Sequence, residues 1–209
     1  ANGSHLAPLS SGLSDVSEAE WSPDGTRILF RGSETANGAA DLYTSAPDGT
    51  SLARLTLGDQ VYEEWPTWSP DGGRIAFIGL DSTLDRDVFL MNADGSNVVK
   101  LAAFPGEDQQ PSWSPDGTRL AFSHQSDLGR HIYLINADGS GLTAVTSGDL
   151  RDFAPDWSPD GTRLVFGRLL LTPPERFQDI WLLTLSDLSV ARLTTTSNSA
   201  FTPSWTGLP

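Results

Sequence analysis

The sequence of 209 residues contains no cysteine, a single methionine, and only 13 lysine and arginine residues against 27 aspartate and glutamate residues. The absence of cysteine excludes disulfide bonds, thiolate metal sites and cysteine nucleophiles, and it is neutral about the redox compartment. The formal net charge of −14 repels phosphate backbones, so we expect no nucleic-acid partner. No apolar run approaches the roughly 20 residues that a spanning helix needs, so we expect no membrane insertion.

Turn-forming residues are plentiful instead. Twenty glycines and fourteen prolines are spread over the whole chain, which is typical of an all-β protein with many short turns. The first residue is Ala1 and no apolar signal-peptide segment follows it. We therefore expect a processed protein outside the cytoplasm, periplasmic or secreted and of bacterial origin; a shortened chain is the alternative.

One motif recurs along the chain. The pentapeptide Trp-Ser-Pro-Asp-Gly occupies residues 21–25, 68–72, 113–117 and 157–161, and each copy leads into a related segment, TRILF, GRIAF, TRLAF or TRLVF. Successive tryptophans are 47, 45 and 44 residues apart, and a truncated copy, PSWTG, places Trp205 another 48 residues on. Such a period indicates a repeat architecture.

Each period divides into four predicted strands, here called a to d. Strand a ends at the tryptophan, Ser-Pro-Asp-Gly forms a turn, and strand b follows with alternating apolar residues. Strand c contains Asp-Leu-Tyr or a related triplet, and an Asp-Gly hairpin turn leads to strand d in three of the periods. The arginine six residues after each tryptophan is predicted to lie on the surface of strand b.

A four-stranded unit of about 45 residues cannot bury both faces alone, whereas radial stacking of such units buries both. We therefore predict an all-β fold, a single β-propeller over residues 1–209 with four four-stranded antiparallel blades, in which the repeated Trp and Phe pack between blades. The predicted repeats are approximately 11–57, 58–102, 103–147 and 148–195, with extra strands at 4–10 and 201–206.

These repeats resemble those of TolB-type β-propellers, which share the pattern Trp-Ser-Pro-Asp-Gly, then Ile-Ala-Phe, Asp-Ile-Tyr, Asn-Ala-Asp-Gly-Ser and Leu-Thr. The resemblance extends from about His5 to Trp205 and implies the fold. It leaves the function open, because such repeats occur in periplasmic scaffolds, in accessory domains of peptidases and in carbohydrate-active proteins. The protein that names the group has six blades and a separate N-terminal domain, and we predict neither from this sequence.

The predicted strands number eighteen, two more than four blades need. The surplus strands carry Leu6 and Leu9 at one end and Phe201 and Trp205 at the other. The chain is then a fragment of a larger propeller, a closed ring latched by its ends, or a protein whose surplus strands pair with a neighbouring copy. The last alternative makes these four residues candidate assembly residues.

Three carboxylates, Glu63, Asp108 and Asp152, stand five residues before a strand-a tryptophan, where we expect them near one mouth of the central channel. They are candidate ligands for Ca²⁺ or for a basic partner, and the alternative is that each caps its own loop. No cofactor is predicted.

Five further residues are candidates for binding. His124 and His131 flank the third b–c loop and could act as bases or metal ligands, with Arg168 in a small basic patch. Leu170 and Phe177 belong to an apolar b–c connection that either contacts a partner or packs on the ring. No Gly-x-Ser-x-Gly nucleophile motif occurs, and we predict no enzymatic activity.

The sequence therefore favours a non-enzymatic exported propeller that binds proteins, including further copies of itself in head-to-tail oligomers or filaments through exchange of terminal strands. The first alternative is a ring that binds a ligand or Ca²⁺ at an acidic channel mouth. A carbohydrate-active lyase or hydrolase using His124 and His131 is the second.

Overall fold

The structure, a computed structural model, describes residues 12–35, 38–56, 63–80, 85–101, 105–127, 129–170, 177–195 and 203–205. Every regular element in these ranges is a β-strand, which confirms the predicted all-β class. Within the same ranges, no helix is long and apolar enough to cross a membrane.

The described residues contain sixteen strands in four consecutive units, and neighbouring strands within a unit pair antiparallel. Unit 1 comprises β1 (Ser14–Trp21), β2 (Ile28–Ser33), β3 (Asp41–Ser45) and β4 (Ala53–Arg54). Unit 2 comprises β5 (Glu64–Trp68), β6 (Arg74–Leu80), β7 (Arg86–Asn92) and β8 (Val99–Lys100). Unit 3 comprises β9 (Glu107–Trp113), β10 (Arg119–Ser126), β11 (Gly129–Asn136) and β12 (Thr143–Ala144). Unit 4 comprises β13 (Arg151–Trp157), β14 (Arg163–Leu170), β15 (Phe177–Thr184) and β16 (Val190–Arg192).

The units pack in chain order through their first strands, because β1 contacts β5, β5 contacts β9 and β9 contacts β13. A single parallel pairing of Arg130 with Arg151 joins β11 to β13, so that units 3 and 4 share one eight-stranded sheet. No sheet within the described ranges closes on itself. The closed four-blade ring therefore stays a prediction.

The Ser-Pro-Asp-Gly turn after each first strand is stabilised by its own side chains. In unit 1 the Gly25 N–H donates to the Ser22 carbonyl at 2.8 Å, and Gly25 has a φ of 69°, which favours glycine. The Asp24 carboxylate accepts the Ser22 hydroxyl at 2.7 Å and the Thr26 N–H at 3.0 Å. These hydrogen bonds, the one from Ser22 foremost, lower the pKa of Asp24 to about 2. The serine-to-aspartate bond recurs at Asp71, Asp116 and Asp160.

A bulge interrupts each first strand three residues before its tryptophan. The residues there have positive φ, namely Glu18, Trp65, Gln110 and Ala154, and the strand register shifts beside them. The bulges link successive units. The Trp65 N–H donates to the Glu18 carboxylate at 2.7 Å, and the Ala154 N–H donates to the Gln110 side-chain oxygen at 3.0 Å.

The hydrophobic core lies between the units. Leu29 and Leu42 of unit 1 pack with Trp68 of unit 2, and Ile78 of unit 2 packs with Trp113 of unit 3. The third boundary is built in the same way around Trp157, with side chains of units 3 and 4. Because each unit leaves two apolar faces uncovered, these boundaries bury what a single unit cannot. The predicted packing role is confirmed for Trp68, Trp113 and Trp157, whereas Trp21 is exposed.

Candidate functional site

The three sequence-predicted carboxylates lie at different unit boundaries, and all three are buried. Glu63 of unit 2 accepts the Leu42 N–H of unit 1 at 3.1 Å and the hydroxyl of Thr56. Burial raises the pKa of Glu63 to about 7, and the nearby Asp41 carboxylate acts in the same direction. Glu63 therefore bridges two units of the fold.

Asp108 and Asp152 occupy the same repeat position in the next two units, and each contacts a basic side chain on the second strand of its own unit. Asp108 accepts the Val88 N–H of unit 2 at 3.3 Å and lies 2.8 Å from His124 Nδ1. Asp152 binds the Arg168 guanidinium through two bonds, of 2.6 and 2.9 Å. Burial raises the pKa of Asp108 despite the opposing hydrogen bond from His124.

Each predicted carboxylate thus has its own partners, and the structure does not bring the three together. Among the described residues, no group of three His, Cys, Asp or Glu side chains is placed to hold a metal ion. The calcium site stays a prediction.

His124 and Arg168 share one repeat position, two residues after the strand-b phenylalanine, where units 1 and 2 have Gly32 and Gly79. Each lies across the strand pair from the carboxylate of its own unit. Aligning the four second strands in register would have revealed this pairing from sequence.

His131 replaces an aspartate that forms an ion pair in each of the other three units. In the other units the corresponding aspartates pair with a cation on the fourth strand, as Asp41–Arg54, Asp87–Lys100 and Asp179–Arg192. Unit 3 has Ala144 at the cation position. His131 is buried directly opposite His124, and within the described residues its Nδ1 atom has no hydrogen-bond partner.

The remaining predicted residues lie at the edges of the described regions. Leu170 is half-buried at the end of β14 and pairs in register with Phe177, so the second strand extends into the apolar segment. Leu6, Leu9 and Phe201 lie outside the described residues. Trp205 lies within them, and its main-chain N–H donates to Asp156 Oδ2 of unit 4 at 2.7 Å.

The sequence-based interpretation of the repeated arginines as surface residues was incomplete, because these half-buried side chains also contact tryptophan rings. Each guanidinium lies over the next repeated tryptophan ring, and for Arg27, Arg74 and Arg119 this cation–π contact joins two units. The distances to the ring centroid are 4.6 Å for Arg27–Trp68, 4.9 Å for Arg74–Trp113, 4.8 Å for Arg119–Trp157 and 5.6 Å for Arg163–Trp205. Trp and Arg recur together in every repeat, which indicates that they could be in contact. The recurrence alone does not show that each arginine contacts the tryptophan of the next repeat.

The structure contains a central cavity of about 470 Å³. The sequence predicted a central channel but not the residues that line this cavity. The cavity is lined by the first strands of all four units together with Pro203 and Ser204. The carboxylates in its wall are Glu18, Glu20 and Asp156. Burial raises the pKa of Glu20 to about 7 against hydrogen bonds from Thr67 and Trp68, and Asp156 adds to the rise.

Comparison with known proteins places these features in a wider group. The family described as the TolB beta propeller domain matches residues 65–207. No protein with a curated description matches the chain by sequence.

Solved structures share the fold at low sequence identity. A putative TolB from Agrobacterium tumefaciens has a TM-score of 0.72 and 21% identity over 91% of this chain and 70% of its own. TolB from Acinetobacter baumannii has a TM-score of 0.72 and 19% identity over 87% of this chain and 44% of its own. A puromycin-hydrolyzing peptidase from Mycobacterium tuberculosis has a TM-score of 0.61 and 16% identity over 92% of this chain and 39% of its own. The chain thus spans less than half the length of the last two.

Proposed function

Because this chain belongs to the TolB beta propeller domain family, we propose that it is a non-enzymatic module that binds other proteins, among them further copies of itself. Fold membership alone does not assign a function. The proposal depends on which apolar side chains are exposed and on which candidate catalytic groups are buried and paired.

The observation that carries the proposal is the distribution of exposed large apolar side chains. Nine are exposed in the described residues, and seven of them lie on a fourth strand or within two residues of one. These seven are Leu52, Val98, Val99, Leu142, Leu188, Val190 and Leu193. The other two, Val16 and Trp21, belong to β1. Apolar surface is therefore available at the outer edge of every unit and at one end of the array.

The outer edges also expose main-chain groups. The fourth strands are only two or three residues long, and each pairs on one side with the third strand of its unit. An edge strand with a free row of N–H and C=O groups can accept a strand from another chain. Strand addition at these edges, or exchange of the surplus terminal strands, is the proposed route to self-association.

The non-enzymatic part of the proposal is supported by the state of the candidate catalytic groups. His124 is 2% exposed and is paired with Asp108, while Arg168 is 5% exposed and is paired with Asp152. A general base must reach a substrate proton, and these groups instead bridge strands inside the fold.

We further propose that the protein works outside the cytoplasm of a bacterium. The support is the similarity to TolB proteins of two bacteria together with the strongly acidic composition of the chain. Expression from its native gene in a bacterial host, followed by fractionation of the cells, tests this location, and recovery in the cytoplasmic fraction alone would contradict it.

Light scattering of the purified protein over a range of concentrations tests self-association. We expect the mass to rise above the 22.4 kDa of one chain as concentration increases, and the paired change Val190→Ser and Leu193→Ser to lower it. The matched control is Thr118→Ser, at an exposed position in the turn between β9 and β10. A mass of one chain at every concentration would rule out self-association.

A further inference from the structure

The boundary between units 3 and 4 carries two arginines at positions that face each other. Arg130 of β11 and Arg151 of β13 are register partners in the parallel pairing that joins the two units. Residues paired in this way project their side chains from the same face of a sheet. The sheet that the two units share therefore places two positively charged side chains next to each other.

The electrostatics of Arg130 reflect this arrangement. Burial lowers the pKa of Arg130, and the positive charge of Arg151 lowers it further, while Glu107 acts in the opposite direction. Glu107 belongs to the same row of register partners, with Gln125 between it and Arg130. The side-chain amide of Gln125 donates to the Ser126 carbonyl at 2.7 Å. This part of the row therefore holds more positive than negative charge.

Neither of these two arginines has an acidic partner within the described part of the chain. The arginines that do form ion pairs there are Arg54, Arg163, Arg168 and Arg192. The Nε atom of Arg130 is buried and has no hydrogen-bond partner among the described residues. A buried N–H without an acceptor costs free energy, and two adjacent cations repel each other. Both costs fall if an anion with two or more oxygen atoms lies against the pair.

The same two repeat positions hold opposite charges at the boundary between units 2 and 3. Arg86 of unit 2 corresponds to Arg130, and Glu107 of unit 3 corresponds to Arg151. β7, which carries Arg86, packs against β9, which carries Glu107. That boundary therefore has a carboxylate of the chain at the position where the next boundary has a second arginine.

The main chains of units 3 and 4 approach closely beside the two arginines. Gly129 precedes Arg130 and has a φ of 125°, and a Cβ atom there would lie 3.1 Å from the Leu150 carbonyl oxygen. Only glycine allows this approach without displacing the neighbouring strand. The arginines are therefore held together by the main chain although their charges repel.

We propose that Arg130 and Arg151 form a binding site for an oxyanion, the carboxylate or phosphate group of a small ligand, which joins units 3 and 4. Guanidinium groups bind both anions through paired N–H donors. Arg151 is exposed and Arg130 is half-buried, so the anion reaches the pair from solvent. The net charge of −14 repels a large acidic molecule, whereas a small anion responds to charges within about 10 Å. The site does not depend on the proposed self-association.

Inorganic phosphate is the first probe, and the Nε–H nuclear magnetic resonance signal of Arg130 reports on the site directly. In ¹⁵N-labelled protein at constant ionic strength, we expect this signal to shift saturably as phosphate replaces chloride. Its loss in Arg130→Gln assigns the signal. We expect Arg151→Gln to weaken binding at least tenfold, because one of two charge-assisted contacts is removed. A matched titration with acetate shows whether the site prefers a phosphate or a carboxylate group.

Asn97→Asp is the matched control for Arg151→Gln, because each substitution lowers the net charge by one. Asn97 is exposed in the turn between β7 and β8. We expect the phosphate titration of this control to equal that of the original protein. Equal weakening in both variants would mean that phosphate responds to net charge alone, and absence of a saturable shift in the original protein would also overturn the site.

A charge reversal tests the repulsion between the arginines independently. Arg151→Glu gives this boundary the charges of the preceding one, so we expect a higher melting temperature than that of the original protein in phosphate-free buffer. We also expect phosphate to raise the melting temperature of this variant less, because the site is lost. A lower melting temperature without phosphate would show that the two arginines do not repel, which contradicts the proposal.

A carboxylate of the chain itself is the alternative occupant of the site. Leu169 is the register partner of Arg151, and Glu175 follows in the segment between β14 and β15 that lies outside the described residues. If Glu175→Gln binds phosphate and the original protein does not, the chain fills the site and the proposal fails. If both bind phosphate with equal affinity, the site is open to an external ligand. Neither outcome changes with the mass that light scattering gives, so self-association is judged separately.

Discussion

Glu63 is a carboxylate in an apolar boundary, and its burial has a consequence for stability. Its pKa is raised to about 7 from an ordinary value of 4.5. A group whose pKa is raised by folding stabilises the folded state below its unfolded pKa, and this contribution is lost as pH rises through the folded value. Stability attributable to Glu63 is therefore lost between about pH 4.5 and pH 7.

We predict that Glu63→Gln raises the free energy of unfolding at pH 8 by up to about 3.5 kcal/mol and changes it little at pH 4.5, since each pKa unit corresponds to ~1.4 kcal/mol. The amide keeps an oxygen for the Leu42 N–H and the Thr56 hydroxyl. Urea unfolding at both pH values measures the effect, with the exposed Glu34→Gln as control. A variant less stable than the original protein at pH 8 would contradict the prediction.

Arg119 is the second residue whose role depends on its surroundings. Its guanidinium lies 4.8 Å from the centroid of the buried Trp157 ring. We predict that Arg119→Ala lowers the free energy of unfolding by about 1 kcal/mol through loss of the cation–π contact and the covering side chain. Arg163→Ala is the comparison, because its ring partner belongs to residues 203–205 and a smaller global effect is expected. If chemical denaturation shows the same loss of unfolding free energy for Arg119→Ala and Arg163→Ala, then the contact between units contributes no more than the contact with Trp205.

At the scale of strand pairs, one pair of facing positions on the first and second strands holds a different combination of residues in each of the four units. The residue five before the tryptophan and its neighbour on the second strand are Val16 and Gly32, Glu63 and Gly79, Asp108 and His124, and Asp152 and Arg168. The last pair is fully buried, at 0% and 5% exposure. A buried ion pair adds little net stability, but removing one partner leaves an uncompensated charge.

We therefore predict that Arg168→Gly alone destabilises the protein by about 3–5 kcal/mol. The double variant Asp152→Val and Arg168→Gly, which copies the pair of unit 1, should recover at least half of that loss. Thermal and urea unfolding of both single variants and the double variant form a complete double-mutant cycle. A double variant as unstable as Arg168→Gly would show that packing of the guanidinium, and not its charge, is what matters.

Much at this scale could be predicted from sequence. The Ser-Pro-Asp-Gly turns and the strands beside them depend on contacts within a few residues, such as the bond from Ser22 to Asp24, so a local pattern predicts them. The link from Arg27 to Trp68 joins residues of two different repeats, and no local pattern specifies it. The same is true of Glu63, whose partners Leu42 and Thr56 belong to the preceding unit.

At the scale of the whole molecule, the units differ in how many neighbours they have. β9 packs against β5 on one side and β13 on the other, while β1 packs only against β5 among the first strands. In a linear array of repeats, an end unit lacks one stabilising boundary. β1 is accordingly the first strand with the most exposed residues.

We predict that the amides of β1 exchange with deuterium at least tenfold faster than those of β9 in the native protein. Native-state hydrogen exchange followed by mass spectrometry measures both strands in one experiment. The control is β5, a first strand with neighbours on both sides, which should behave like β9. Equal protection of β1 and β9 would mean that another part of the molecule covers the first unit.

The sequence alone determined the repeat, its four strands, the turns and the packing of the repeated tryptophans at the boundaries between units, because these follow from spacing, turn chemistry and the need to hide two apolar faces. Only the tertiary structure decided which blade each arginine serves, that Glu63, Asp108 and Asp152 lie at separate boundaries, and that Trp21 stays exposed while Trp205 is covered. The reason is physical: turns and strands are set by neighbours along the chain, whereas a contact between blades depends on how whole units are placed around a common axis.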